Sequence, residues 1–233
     1  MRVDFVLLLK HLCNVRCQFA RFSLLFISLF FVLGIVQSKD IFTLPESLLQ
    51  SVESQYGNPA KRRLLAWQAL IRDDSATSDK EKMDNVNRFF NQLRFVNDKK
   101  LWGKSDYWAT PVEFLSRGAG DCEDFALAKY FTLKALGVEE EKLNMTYVKA
   151  LELNQAHMVV TYYAVPNAIP LVLDSLVSDI QPATSRKDLL PVYSFNGTGL
   201  WLAKARGKGQ QVGGSDRLKR WQDLLSRMPE GLN

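Results

Sequence analysis

The chain has 233 residues, 47% hydrophobic and 24% charged, with 30 Lys+Arg against 25 Asp+Glu, three cysteines and two histidines. Its formal net charge of +5 is too small to argue for nucleic acid as a partner, and its length suits one domain with a substantial core.

Residues 1–21 carry Arg2, Lys10, Arg16 and Arg21 against Asp4, and Phe22 to Val36 is an uncharged, mostly apolar run. That is a basic n-region followed by an h-region. The run is shorter than the roughly 20 residues of a spanning helix, and Val36-Gln37-Ser38 offers small residues to a signal peptidase. The expectation is export with cleavage near Ser38, residues 1–38 being the signal and 39–233 one working domain. The competing reading is a retained membrane anchor, because the n-region is long and the cleavage site is not Ala-x-Ala. Removing residues 1–38 leaves a net charge of +2 and takes away Cys13, Cys17 and His11. Cys122 and His157 then remain as the one thiol and the one imidazole, and no internal disulfide can form. A lone exported thiol is a liability unless it is buried or used. Farther on, Lys204-Ala-Arg206-Gly-Lys208 reads as a solvated loop rather than a phosphate patch.

After the leader the pattern is helical. "TLPESLLQSVESQYG" offers Thr43 as an N-cap; "PAKRRLLAWQALIRDD" follows with Leu64, Leu65, Trp67, Ala69, Leu70 and Ile71. A third helix begins at the capping box Ser78-x-x-Glu81 and carries Met83, Val86, Phe89, Phe90 and Leu93. These stripes are core faces. Thr110-Pro111-Val112-Glu113 combines a capping box with proline at the first helical position, predicting a short helix over 111–116 that Arg117-Gly-Ala-Gly120 breaks. A new helix starts near Asp121 and runs through "CEDFALAKYFTLKAL" to Gly137; apolar residues cover most of its circumference, so it is expected to be buried centrally.

Past residue 142 the period shortens. "LNMTYVKAL", "AHMVVTYYAV", "PLVLDSL", "PVYSF" and "LWLA" predict an antiparallel sheet of about five strands, and an amphipathic helix over 215–228 closes the chain. Helices first and strands afterwards make an α+β domain with the cysteine helix packed on the sheet.

The chemistry centres on Cys122. A thiol in the first turn of a helix meets unpaired N–H groups and the positive end of the dipole, which favour thiolate. His157 begins one strand run, and Asp174 lies in the next. In an antiparallel pair those positions come within a residue or two of being neighbours, so a Cys122-His157-Asp174 triad is one reading. The other is a buried small cysteine, a structural histidine and a turn-capping aspartate. Asp121, Glu123 and Asp124 bracket the thiol. At about 6 Å and an effective dielectric of about 20, one carboxylate disfavours thiolate by about 2–3 kcal/mol. Either these acids stabilise a helix N-terminus, or they hold a hard divalent cation that cancels their charge. One Cys and one His do not make the usual zinc set, and no EF-hand spacing is present.

"GAGDCEDFALAKYFTL", "AHMVV" and "LVLDSL", with "DYWATPVEFLSRGAGDCED" upstream, resemble the bacterial transglutaminase-like cysteine proteinases, specifically the LapG type of periplasmic adhesin protease. The resemblance implies a papain-like, or transglutaminase-like, fold. It implies Cys122 as nucleophile, His157 as general base and acid, and Asp174 as the residue orienting the imidazole. It further implies calcium as cofactor, with Asp121, Glu123 and Asp124 as ligands. The implied substrate is the N-terminal region of a large surface adhesin, cut near a pair of alanines to release cells from a biofilm. The implied inhibitor is the periplasmic domain of a LapD-type inner-membrane cyclic di-GMP receptor. By the logic of such sites, the Cys122 backbone N–H belongs to an oxyanion hole, and Trp108 is either an indole donor to it or a buried structural residue. A transglutaminase or amidase using the same triad, and a non-catalytic calcium-sensitive binding protein, are the competing functions.

Overall fold

The computed structural model describes residues 42–73, 77–202 and 209–229; the leader over 1–38 and the basic run at 204–208 lie outside them. Helix α1 (Glu46–Tyr56) has Pro45 at its N-cap and no side-chain cap, so the expected Thr43 cap is displaced by the proline two residues on. Helix α2 (Asn58–Asp73) buries Leu64, Trp67 and Ile71 but leaves Leu65 exposed. Helix α3 (Asp79–Phe90) starts where the sequence places it, with the reciprocal Ser78–Glu81 capping box formed. It stops at Phe90, so Leu93 falls in the turn beyond.

A short parallel ladder then forms between β1 (Arg94–Phe95) and β2 (Ala119–Gly120). Between them lie α4 (Asp98–Leu101) and α5 (Pro111–Arg117). Helix α5 carries the expected Thr110–Glu113 capping box and Pro111, and ends at Gly118, whose φ of 63° is the left-handed conformation glycine tolerates. Helix α6 (Cys122–Ala135) follows, and eleven of its 14 residues are buried, as its nearly uniform apolar surface requires.

Among the described residues, the remaining chain builds one seven-stranded antiparallel sheet rather than five strands. It comprises β3 (Leu143–Ala150), β4 (Gln155–Tyr162), β5 (Leu171–Leu173), β6 (Gln181–Pro182), β7 (Leu189–Phe195), β8 (Leu200–Leu202) and β9 (Gln210–Gly213), in the order β6-β5-β4-β3-β7-β8-β9. The two unforeseen strands, β6 and β9, form the edges and are two and four residues long. Neither offers an apolar alternation to read. Helix α7 (Lys219–Arg227) is shorter than expected because Ser215–Arg217 is a separate 3₁₀ turn.

Helix α6 lies on β4 and β3 and is flanked by α3 and α5. Its Phe131 stacks on Trp221 of α7 at 5.5 Å, and Trp67 of α2 donates its indole N–H to Thr132 Oγ1 at 2.8 Å. Trp67, Phe90, Phe114, Tyr130, Phe131 and Trp221 are all at most 1% exposed, each contributing on the order of 2–3 kcal/mol of burial. Helix α6 is thus fixed by helices on one side and sheet on the other, which sets the position of its first residue. Among the described residues no helix is long and apolar enough to cross a membrane.

Candidate active site

Cys122 is the first residue of α6 and is 7% exposed. Its Sγ donates to Glu123 Oε2 at 2.8 Å, and Tyr147 Oη donates to the other Glu123 oxygen at 3.0 Å. Burial pushes the thiol well above its ordinary range, and the Glu123 and Asp121 carboxylates push the same way. The Met158 backbone N–H on the sulfur opposes them. That amide belongs to the residue after His157, so the start of α6 meets β4 beside the histidine.

His157 and Asp174 are each 1% exposed, and His157 Nε2 lies 2.7 Å from Asp174 Oδ1. Strand register is responsible. Val160 pairs with Leu173, and one further step places Asp174 beside Val159, two residues from His157. Burial acts to raise the Asp174 carboxyl, but the hydrogen bond and charge of His157, the Leu176 N–H and Arg186 outweigh it and hold the group well below its usual range. Arg186 Nη2 donates to Asp174 Oδ2 at 2.7 Å. The Asp174 carbonyl accepts from Asn91 Nδ2 and from Lys129 Nζ, each at 2.9 Å.

Around the thiol the acids divide into two roles. Asp124, fully buried, accepts from Ala109 N at 2.8 Å through Oδ1 and from Asp121 N at 3.3 Å through Oδ2. It ties the segment before α5 to the start of α6. Asp98 and Asp121 differ: the Oδ1 atom of each is buried with no hydrogen-bond partner. Carboxylate oxygens of Asp98, Asp121 and Asp124 lie within 4.8 Å of one another, and Asp121, Cys122 and Glu123 form a second such group. Burial, then the Glu123, Asp124 and Asp98 charges, push the Asp121 carboxyl up to about 9. Burial likewise raises Asp98 and Asp124. Buried carboxylates this close repel one another unless a proton or a metal ion joins them. Oxygen-only donors with two orphaned lone-pair atoms fit a hard divalent cation such as calcium. Of the three acids that the resemblance implies as ligands, Asp121 and Asp124 lie in this cluster with Asp98, while Glu123 groups with Asp121 and the Cys122 sulfur.

Asp98, Arg186, Lys129 and Tyr147 were not legible as site residues. Asp98 lies 23 positions before Asp121, in the first turn of α4, a four-residue helix not foreseen from the sequence. The parallel β1–β2 ladder sets the segment that carries that helix beside the start of α6. Trp108 is 4% exposed and stacked on Phe195 at 5.7 Å; its Nε1 is buried near the Asp106 carboxylate without a well-formed hydrogen bond. Its carbonyl accepts from Arg227 Nη2 at 2.7 Å. The indole thus has a structural place and an unspent donor.

A family model described as bacterial transglutaminase-like cysteine proteinase matches residues 68–195. LapG of Legionella pneumophila is 45% identical, with a TM-score of 0.68 over 78% of this chain and 96% of that one. The EGTA-treated form of that protein aligns at 45% identity and a TM-score of 0.69 over 78% and 96% of the two chains. The calcium-bound form aligns at 44% identity and a TM-score of 0.68 over 79% and 99%. No curated relative matches.

Proposed function

Because the chain belongs to the bacterial transglutaminase-like cysteine proteinases, we propose that it is a periplasmic, calcium-dependent cysteine endopeptidase. In this reading it cuts the N-terminal region of a large surface adhesin and so promotes release from a biofilm. The observation that carries the catalytic assignment is the His157–Asp174 pair at 2.7 Å, adjacent in β4 to the Met158 amide that meets the Cys122 sulfur.

With Nε2 of His157 committed to Asp174, Nδ1 is the ring nitrogen free to exchange protons with sulfur and substrate. The Cys122 thiol passes its proton to His157, and the thiolate attacks a peptide carbonyl carbon. The carbonyl oxygen becomes an oxyanion, stabilised by the Cys122 backbone N–H at the start of α6. Collapse breaks the C–N bond as the imidazolium protonates the leaving amine, leaving a thioester. His157 then takes a proton from water, hydroxide adds to the thioester carbon, the C–S bond breaks to release the carboxylic acid, and the imidazolium returns its proton to the sulfur. Asp174 keeps the imidazole in one tautomer and orientation throughout.

Glu123 sets the resting state, since its Oε2 accepts the thiol hydrogen bond and its charge disfavours thiolate. Asp98, Asp121 and Asp124, whose carboxylate oxygens converge, would hold calcium with Glu123 beside them, Asp124 also fixing the backbone at the start of α6. Bound calcium would supply positive charge that offsets these carboxylates beside the nucleophile. The calcium-bound and EGTA-treated forms of the L. pneumophila protein support that cofactor. A LapD-type receptor domain that sequesters the protease is the proposed regulator. Incubating the purified protein with an adhesin N-terminal fragment tests the reading. Cleavage that needs calcium and disappears in Cys122→Ala is the expected result; an uncut fragment with calcium present overturns it.

A further inference from the structure

An orienting aspartate is useful only if it is itself immobile, and the way Asp174 is held goes beyond what strand pairing supplies. The β4–β5 ladder ends at Leu173, so no strand partner fixes residue 174. Three other elements take over. Lys129 of α6 and Asn91, at the end of α3, both bond its backbone carbonyl, and Leu176 N donates to Oδ1 at 3.0 Å. Arg186 occupies Oδ2, the oxygen His157 does not use.

Arg186 sits just past the 3₁₀ turn Ala183–Ser185, between β6 and β7, and is 5% exposed. Its guanidinium is aimed by a second carboxylate, with Nε and Nη2 donating to the two oxygens of Asp188 at 3.0 and 2.7 Å. A planar guanidinium gripped along one edge has little freedom to turn, so it presents a donor to Asp174 at a fixed angle. Buried ion pairs of this kind contribute little net stability relative to apolar residues of the same volume. What the arrangement does provide is a single position for the carboxylate facing His157.

We propose that Arg186, braced by Asp188, is a positioning residue for the reaction: it fixes the Asp174 carboxylate and, through it, the orientation of the His157 imidazole. This rests on the protease reading for its consequence but not for its geometry. Lys129 completes the hold from behind. It lies seven residues, about two helical turns, after Cys122 on α6, so the helix that carries the thiol also pins the backbone of the aspartate.

The test uses the full chain and two readouts. The first is the iodoacetamide alkylation rate of Cys122, read peptide by peptide by mass spectrometry so that Cys13 and Cys17 do not interfere. Arg186→Met is expected to slow it at least tenfold, and Arg186→Lys to recover it to within about threefold. In an Asp174→Asn background Arg186→Met should add less than a twofold change, because the residue acts through Asp174. Where the parent thiol is fast, an equal effect in both backgrounds, or no effect in either, overturns the proposal. If Arg186→Met does not fold, Asp188→Asn replaces it. Its side chain is 32% exposed, and loss of the brace should slow alkylation about threefold with Asp174 present and not without it. The second readout is the NMR resonance of the ring proton shared by His157 and Asp174, in a His11→Gln background. It should be visible in the parent and lost in Arg186→Met while the amide spectrum stays folded; persistence overturns the proposal. This signal does not require Cys122 to be a nucleophile. A slow thiol in the parent together with this loss would refute the protease reading and leave Arg186 as the residue that orients the pair.

Discussion

Gly120→Ala probes the clamp beneath the site. Gly120 has no left-handed φ, so its backbone conformation suits alanine and the cost is one of space. An added Cβ falls 2.4 Å from Asp124 Oδ2, 2.8 Å from Asp124 Cβ and 2.7 Å from Phe114 Cδ2. Asp124 and Phe114 are both fully buried, so neither side chain has room to retreat. Overpacking of this kind costs about 1–3 kcal/mol. Displacing Asp124 also weakens its bonds to Ala109 N and Asp121 N, at about 1–3 kcal/mol for buried polar groups left unsatisfied. The expected loss is about 3 kcal/mol of unfolding free energy, read as a lower urea midpoint at unchanged m by far-UV circular dichroism. For a domain of this size that is a fall of about 6–12 °C in Tm. A change below about 0.5 kcal/mol would refute the tight contact between the β1–β2 ladder and the start of α6.

Further outcomes follow from the buried charges. Lys129 is fully buried and its ammonium is pushed down to about 7, chiefly by burial. Between pH 7 and the unfolded value near 10.5 the unfolded chain binds the extra proton, so stability rises with pH by about 1.4 kcal/mol per unit. Urea titrations should find that slope flattened in Lys129→Met. Asp174 has the same sign in a lower window: its folded carboxyl lies below the unfolded value of 3.8, so its stabilisation is full above about pH 5 and is lost as pH falls through the acid range. Asp174→Asn should have a flatter stability curve than the parent between pH 5 and pH 3. Calcium at about 100 times its Kd should stabilise the fold by about 2.7 kcal/mol, seen as a rise in Tm that EGTA reverses. Asp98→Asn should remove most of that rise, and an equal rise in that variant would exclude Asp98 from the ion's ligands.

What the sequence disclosed was local. Ser78–Glu81 and Thr110–Glu113 announce two helix starts, and Gly118 and Gly137 announce two stops, because caps and left-handed turns depend on residues within one turn. Cys122 before an apolar helix, and His157 and Asp174 in successive strand runs, were readable for the same reason. Strand β6 is Gln181–Pro182 and β9 is Gln210–Gly213; both exist because a neighbouring edge accepts them, and their own residues carry no alternation. Asp98, Arg186 and Lys129 reach the site through a parallel ladder, a 3₁₀ turn and the length of α6. Nothing at positions 98, 129 or 186 alone distinguishes them from surface charges.

The measurement closest to the central claim is the alkylation rate of Cys122 by iodoacetamide at neutral pH, with calcium and then with EGTA, in the parent and in His157→Ala. If a cation offsets the charge of Asp121 and Glu123 and His157 takes the thiol proton, labelling is fast with calcium. It should fall at least tenfold on chelation and again on loss of the imidazole. Slow labelling under all conditions would contradict the account, making Cys122 a buried thiol held by Glu123 and no nucleophile.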